Sequence, residues 1–387
     1  MPTLSRIDAW LLLLPLERPY KLSFGPVAAL NTVFVRITRT DGQTGWGEAT
    51  LLHGYTDETI AGTWAKVREL LAAPPSADAA DVAHAADTLE RWLAPLDADH
   101  PFLTTAFRTA AEMAARHPLL NVASADGKPV RVPILGLLQG ETPQRVAEEA
   151  DALIAAGYTT LKVKVGFEPA DDALMVAVAQ QAVGGRALIR LDANQGYDAV
   201  AACDFIQRID PSSIELFEQP CAAGDWDAHM AAARVAQERG LALMLDESIY
   251  SLREIEKAAE LRAARYIKVK LMKFSGLDRL DAALARIRAL GMTPVLGNGV
   301  ANELSCWMEA CIATRHIDNA GEMNGFLKPR ERLFTHPLRF VRGAIELQPG
   351  ELGQMDISQV ERLALDHVAW WAGSKVASAA GPVATAS

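Results

Sequence analysis

Several classes of protein are excluded by what this chain lacks. It has four cysteines, Cys203, Cys221, Cys306 and Cys311, and no two of them stand in a CxxC pair. That spacing argues against a cysteine-built zinc site or a disulfide framework, so free thiols in a reducing, cytoplasmic setting are expected. No stretch approaches the roughly 20 apolar residues of a membrane span. The run Trp10-Leu11-Leu12-Leu13-Leu14 follows Arg6 and Asp8 and stops at Pro15, unlike a signal-peptide core. Basic runs are missing too. With 38 Lys and Arg against 48 Asp and Glu, the formal charge is -10, which disfavours nucleic acid or an anionic membrane surface as partner. A small anionic substrate stays compatible, because the charge of a pocket can oppose that of the whole chain.

What is present is a globular composition: 387 residues, half of them hydrophobic. That is long enough for a barrel of about 200 to 250 residues plus a second domain. Residues 7–14, 31–37 and 45–49 read as antiparallel strands, with Thr40-Asp41-Gly42 as a hairpin turn. Residues 17–28, which include Pro19, Gly25 and Pro26, read as a long structured loop of the kind that carries function. Residues 56–116 turn helical, with a polar break near 74–78.

From residue 129 the texture repeats. Short β-branched runs at 130–138, 159–166, 187–194, 214–220, 242–248, 266–272, 293–299 and 319–324 alternate with Ala/Glu/Arg-rich helical stretches. Strand ends recur roughly every 24 to 28 residues, the length of one βα unit, and eight units in a row predict a closed barrel. The expected division is an N-terminal α+β domain over 1–128, a barrel over 129–325, a segment over 326–372 that returns to the first domain, and a disordered Gly/Ser/Ala-rich tail over 373–387.

Two of the barrel strands are anomalous. In Thr160-Leu161-Lys162-Val163-Lys164-Val165-Gly166 the apolar residues alternate with two lysines, and Tyr266-Ile267-Lys268-Val269-Lys270-Leu271-Met272 repeats the pattern. Side chains alternate along a strand, so each pair of lysines shares one face. Buried ammonium groups require carboxylates. The strands between supply them at their ends: Asp192 in Leu191-Asp192-Ala193-Asn194, Glu218 in Glu218-Gln219-Pro220, and Asp246 in Asp246-Glu247-Ser248. Barrel enzymes place their chemistry at the carboxyl ends of the strands, where Lys164, Lys270 and all three carboxylates fall.

Three carboxylates without His or Cys form a hard, all-oxygen site suited to Mg²⁺, with Mn²⁺ as a substitute. Asn194 and Glu247 are placed to orient them. A divalent ion beside lysines suits removal of the proton next to a carboxylate, since the ion stabilises the enolate charge. The base must be a neutral amine, which burial and neighbouring positive charge favour. Lys164 and Lys270 are therefore the acid/base candidates and Lys162 their electrostatic neighbour. The competing reading is that these lysines, Lys268 most readily, only bridge carboxylates inside the barrel.

The order Lys-x-Lys, Asp-x-Asn, Glu-Gln-Pro, Asp-Glu-Ser, Lys-x-x-Lys resembles the enolase superfamily, and within it the muconate lactonizing enzyme subgroup, which includes dipeptide epimerases and N-acylamino acid racemases. Gly45-Trp46-Gly47-Glu48 is similar to that family's capping domain. The resemblance implies a modified TIM barrel, (β/α)7β, under an α+β cap, with Mg²⁺ on Asp192, Glu218 and Asp246 and with Lys164 and Lys270 on opposite faces of the substrate's α-carbon. It also implies a homo-oligomer. Cap loops carrying Tyr20, Phe24, His53 and Tyr55 would close over a small-molecule carboxylate substrate, with Asn298, Glu322 and Met323 at the last two strand ends. Asn298 in Gly297-Asn298-Gly299 stands where the mandelate racemase branch has a histidine.

Two positions depart from the subgroup's pattern. Glu322-Met323-Asn324 replaces the Asp-x-Asp that holds a dipeptide's ammonium, and Lys268 stands where Asn is common. The implied activity is racemisation or epimerisation of an amino acid derivative. Cycloisomerisation of a muconate-type diacid and dehydration of a hydroxylated acid or amino acid begin with the same step. A catalytically inactive barrel, the reading from a different class, would be marked by a damaged constellation, and none of the five central residues is missing.

Overall fold

The computed structural model describes residues 4–22, 25–52, 56–73 and 85–372. Strands β1 (Leu4–Leu22), β2 (Gly25–Arg39) and β3 (Thr44–Leu51) form an antiparallel sheet with β14 (Ala364–Trp371), in the order β14-β1-β2-β3. Period-two alternation gives this sheet two apolar faces. Ile7, Ala9, Val33, Val35, Ile37 and Ala49 pack with Trp64, Val67, Leu103 and Phe107 of helices α1 (Ile60–Ala72) and α3 (Pro101–Ala114). The opposite face, with Trp10, Leu12, Leu14, Phe34 and Trp46, joins the core that runs into the barrel. Gly47 permits the approach of α3, since a Cβ there would lie 1.9 Å from the Ala106 carbonyl oxygen.

Within residues 17–28, Tyr20–Leu22 pair with Gly25–Val27 rather than looping. β1 and β2 continue as a hairpin arm in which Tyr20 faces Val27 and Lys21 faces Pro26, beyond a register shift between Pro15 and Tyr20. The prolines suggested a loop, but both are tolerated near an irregularity and at an arm's end.

The barrel strands are β5 (Gly136–Leu138), β6 (Thr160–Lys164), β7 (Leu188–Asp192), β8 (Ile214–Glu218), β9 (Leu243–Leu245), β10 (Tyr266–Val269) and β11 (Thr293–Leu296), neighbours in that order and parallel throughout. Helices cross over between them: α4 (Pro143–Ala155), α5 (Pro169–Val183), α6 (Ala199–Arg208), α7 (Trp226–Arg239), α8 (Leu252–Glu260), and α10 (Leu277–Ala289) after the short α9 (Leu271–Phe274). Thr142, Asp198, Asp225 and Ser251 cap α4, α6, α7 and α8 through side-chain oxygens. α11 (Glu303–His316) is almost wholly buried.

The expectation of a modified TIM barrel under an α+β cap is met, with seven strands in the barrel sheet where eight units were expected and with three local corrections. Residues 130–138 are two strands: β4 (Val130–Pro133) pairs antiparallel with β13 (Ala344–Leu347), which pairs with β12 (Arg339–Val341), and only β5 enters the barrel. Pro133, which has no N–H to give, ends β4 at this switch of sheets. Residues 319–324 form no extended strand; closure rests on Gly321, which accepts from Leu135 N at 2.9 Å and donates to Pro133 O at 2.9 Å, while Glu322 N donates to Leu296 O at 3.0 Å. Residues 266–272 leave the strand after Val269 and turn into α9.

Candidate active site

Close backbone contacts aim the strand ends inward. Gly166 ends β6 at φ +100, where a Cβ would lie 2.4 Å from Ala193 O. Asn194 and Gln219 take left-handed φ values of 42 and 37 just after β7 and β8. Gln219 joins two strand ends: its Oε1 accepts from Asp246 N at 2.9 Å, and its Nε2 donates to Ser248 Oγ at 2.8 Å. This gives the Glu-Gln-Pro and Asp-Glu-Ser motifs one shared structural task.

The four strand lysines and the carboxylates between them meet in one cluster. Lys162 Nζ lies 2.8 Å from Asp192 Oδ2, from Glu218 Oε2 and from Glu322 Oε2. Lys268 Nζ lies 2.9 Å from Glu218 Oε1 and 3.3 Å from Asp246 Oδ2, and it also donates to Glu322 Oε2. Lys164 Nζ contacts Asp192 Oδ2 at 2.6 Å and Asn194 Oδ1; Lys270 Nζ contacts Asp246 Oδ2 at 2.8 Å. Asn194 Nδ2 reaches Glu247 Oε1 at 3.0 Å. Depth separates the lysines: the side chain of Lys164 is 35 % exposed and that of Lys162 1 %.

A fifth lysine belongs to the cluster. Lys273, on α9, donates to Asp246 Oδ1 at 2.8 Å and to Asp246 O at 2.5 Å, and its ammonium lies 4.5 Å from the centroid of the Tyr250 ring. The reading of 266–272 as continuous strand passed over it. The spacing Lys-x-x-Lys was the available signal, because one helical turn after a strand end carries residue i+3 back toward the cavity.

Electrostatics divide the groups. Burial would raise the Asp192 carboxyl, but Lys162, Lys164 and Lys268 hold it at about 2. Asp246 and Glu322 are likewise held well below the ordinary range, against burial, by Lys270, Lys273 and Lys268 and by Lys162 and Lys268 respectively. Glu218 goes the other way: burial and the Asp192 charge push it up to about 7. Burial would lower the lysines, yet neighbouring carboxylates carry Lys162, Lys268 and Lys270 above their ordinary value. Lys273 alone of these falls, to about 8, because burial and the Lys270 charge outweigh Asp246 and Glu247.

A dication fits this donor set. Glu218 Oε2 is near Lys162 but off the line of a hydrogen bond, and it and Glu247 Oε2 are buried acceptors without one. The donors are all oxygen, as Mg²⁺ requires. Asp192, Glu218 and Asp246 do not yet converge closely, since Lys162 and Lys268 stand between them; among the described residues, the close carboxylate–imidazole group is Glu112, His117 and Asp278. That group lies on the seam of α3 and α10, where Glu112 already accepts from Leu277 N at 3.0 Å.

The remaining candidates are placed as follows. Asn298 is spent locally, accepting from Val300 N at 2.9 Å and donating to Met272 Sδ at 3.0 Å. Met323 is fully buried in the core. Glu322 faces the lysines rather than the cavity mouth. Tyr20 lies in β1 with its side chain outside the described residues, as Phe24, His53 and Tyr55 are entirely. No helix among the described residues is long and apolar enough to cross a membrane.

Comparison with known proteins agrees with this geometry. The chain is 25% identical over 343 residues to the N-succinyl-L-Arg/Lys racemase of Bacillus cereus, covering 84% of this chain and 88% of that one. The crystal structure of that racemase superposes with a TM-score of 0.82 at 22% identity, over 95% of this chain and 99% of that one. An aromatic dipeptide epimerase of Herpetosiphon aurantiacus is 30% identical over 325 residues, covering 81% and 87% of the two chains. Muconate cycloisomerase 1 of Acinetobacter baylyi is 27% identical over 295 residues, covering 74% and 78%. Residues 8–138 match the N-terminal domain of mandelate racemase / muconate lactonizing enzyme, and residues 145–353 match the enolase C-terminal domain-like family. The chain is therefore a member of the mandelate racemase/muconate lactonizing enzyme family of the enolase superfamily.

Proposed function

We propose that this protein is an isomerase that moves the α-proton of a carboxylate substrate, a racemase or epimerase of an amino acid derivative. The observation that carries the reading is one cluster at the carboxyl ends of successive parallel strands, holding Lys164 near the mouth and Lys270 and Lys273 across from it on Asp246. The racemase and epimerase activities of the relatives support it. A cycloisomerase is the second reading, supported by the likeness to muconate cycloisomerase 1, since ring closure by carboxylate addition gives the same kind of enolate, which then gains a proton at the α-carbon.

In this proposal Asp192, Glu218 and Asp246 hold Mg²⁺, with Asn194 and Glu247 orienting them. When bound, Mg²⁺ stabilises negative charge on the substrate carboxylate as the α-proton leaves. One lysine takes the proton and another, on the opposite face, returns one. Lys164 Nζ serves one face, with Asn194 Oδ1 and Asp192 orienting it. Lys270 Nζ, 2.8 Å from Asp246 Oδ2, serves the other face, with Lys273 on the same carboxylate as its neighbour. Lys162, deep and shared among three carboxylates, keeps the cluster's charge in balance. Residues 1–128 act as cap and 129–325 as barrel, with 326–372 returning through β14 to the cap sheet. Incubating N-acylated amino acids, dipeptides and muconate-type acids with protein and Mg²⁺ in D₂O tests the reading: deuterium should enter at the α-carbon of at least one. A panel without any exchange overturns it.

A further inference from the structure

Lys268 and Glu322 are interior charges to which the proposed chemistry gives no task, and they touch each other. Lys268 Nζ donates to Glu322 Oε2 while standing 2.9 Å from Glu218 and 3.3 Å from Asp246. One ammonium thus bridges two of the three carboxylates assigned to Mg²⁺, and its remaining carboxylate partner lies outside that set. We propose that Lys268 is a built-in counter-ion of the metal site and that Glu322 is the seat to which its ammonium withdraws when the metal binds. This rests on Mg²⁺ being held by Asp192, Glu218 and Asp246.

Three observations support the exchange. Asp192, Glu218 and Asp246 are all buried, and buried carboxylates facing one another without a cation are costly. Lys162 covers the gap between Asp192 and Glu218, and Lys268 covers the gap between Glu218 and Asp246. A dication between those carboxylates repels an ammonium in contact with them, but Lys has a flexible stem and three donors, so Nζ changes partners without moving β10. Glu322, finally, is anchored through its backbone, away from the metal ligands. Its N–H donates to Leu296 O at 3.0 Å in the segment that closes the barrel, and Lys162 holds Oε2 at 2.8 Å. Gly297 lets that segment lie close, since a Cβ there would stand 2.7 Å from Glu322 N.

Titration calorimetry of Mg²⁺ alone into the full chain, without substrate, tests this with Glu322→Gln, Lys268→Met and the double variant. With Lys268 present, Glu322→Gln should weaken Mg²⁺ by about tenfold or more, because the ammonium then has only the metal ligands to sit on; in the Lys268→Met background the penalty should shrink to about threefold or less. Equal penalties in both backgrounds overturn the proposal while leaving the metal site standing. No Mg²⁺ binding to the unaltered protein overturns both. If a variant loses its cooperative thermal transition, a Mg²⁺-bound crystal structure of the unaltered chain decides. Nζ of Lys268 should then sit on Glu322 and off Glu218 and Asp246, and Nζ still bridging those two refutes the exchange.

Discussion

Five ammonium groups, Lys162, Lys164, Lys268, Lys270 and Lys273, face five carboxylates, Asp192, Glu218, Asp246, Glu247 and Glu322, so the interior is formally balanced. Balance explains why the protein holds such a cluster at all, and partner choice explains how its members differ. Lys270 has a carboxylate oxygen of Asp246 at 2.8 Å and is carried upward; Lys273 shares the same carboxylate under deeper burial and falls to about 8. Substitution should resolve their roles. Lys270→Ala and Lys164→Ala should each lower kcat about 10²- to 10⁴-fold, the usual contribution of a positioned acid or base. Lys273→Ala, which removes a neighbouring positive charge, should cost less and shift the pH profile. A base acts deprotonated, so kcat/KM should rise with pH and then level, as read by polarimetry across a buffer series. A full-strength loss in Lys273→Ala with activity kept in Lys270→Ala would reverse the assignment.

At the scale of elements, α11 couples the site to the rest of the chain. Glu303 in its first turn accepts from Leu333 N at 2.6 Å and Leu338 N at 3.0 Å, which anchors the segment after the barrel. Asn302 just before it donates to Thr32 and Thr50 of the cap sheet at 3.0 and 2.8 Å. Glu309, further along, accepts from Leu271 N at 2.8 Å and so supports the start of α9, where Lys273 sits. Burial pushes the Glu309 carboxyl up to about 8, opposed by that N–H and by Lys270. Burial likewise carries Glu48, Glu58 and Glu112 to about 7. These acids keep protons in the folded state that the unfolded chain releases at ordinary carboxylate values. Their contribution to stability is therefore complete below about pH 4.5 and is lost as pH rises toward about 8. The thermal midpoint should fall across that window. Glu309→Gln, which keeps an acceptor for Leu271 N, should flatten part of the fall; an unchanged slope in calorimetry would mean that Glu309 holds no proton there.

For the whole molecule, the barrel is closed by Gly321 and Glu322, and the cap is tied on by β14 returning to β1. The strand ends that carry the lysines and carboxylates are thereby tied into one closed frame. A cation that binds only the folded state must then stabilise it. Mg²⁺ at about 100 times its Kd should add about 2.7 kcal/mol, and a chelator should remove that gain. Differential scanning calorimetry with and without Mg²⁺ reads this directly, and an unmoved midpoint at saturating Mg²⁺ would dismiss the metal site.

The barrel, its capping sheet and the strand-end lysines and carboxylates were all legible in the sequence, because they follow from period-two alternation, from βα spacing and from the cost of burying an unpaired charge. Three things were not. Lys273 was hidden because a strand pattern does not announce where a helical turn takes over. The pairing of Lys268 with Glu322 was hidden because the two are 54 residues apart and only barrel closure brings them together. The arm within residues 17–28 was misread because local proline content cannot reveal which partner strand lies alongside. Local chemistry is written in the order of residues, whereas partners and pKa values depend on what closure sets beside each group.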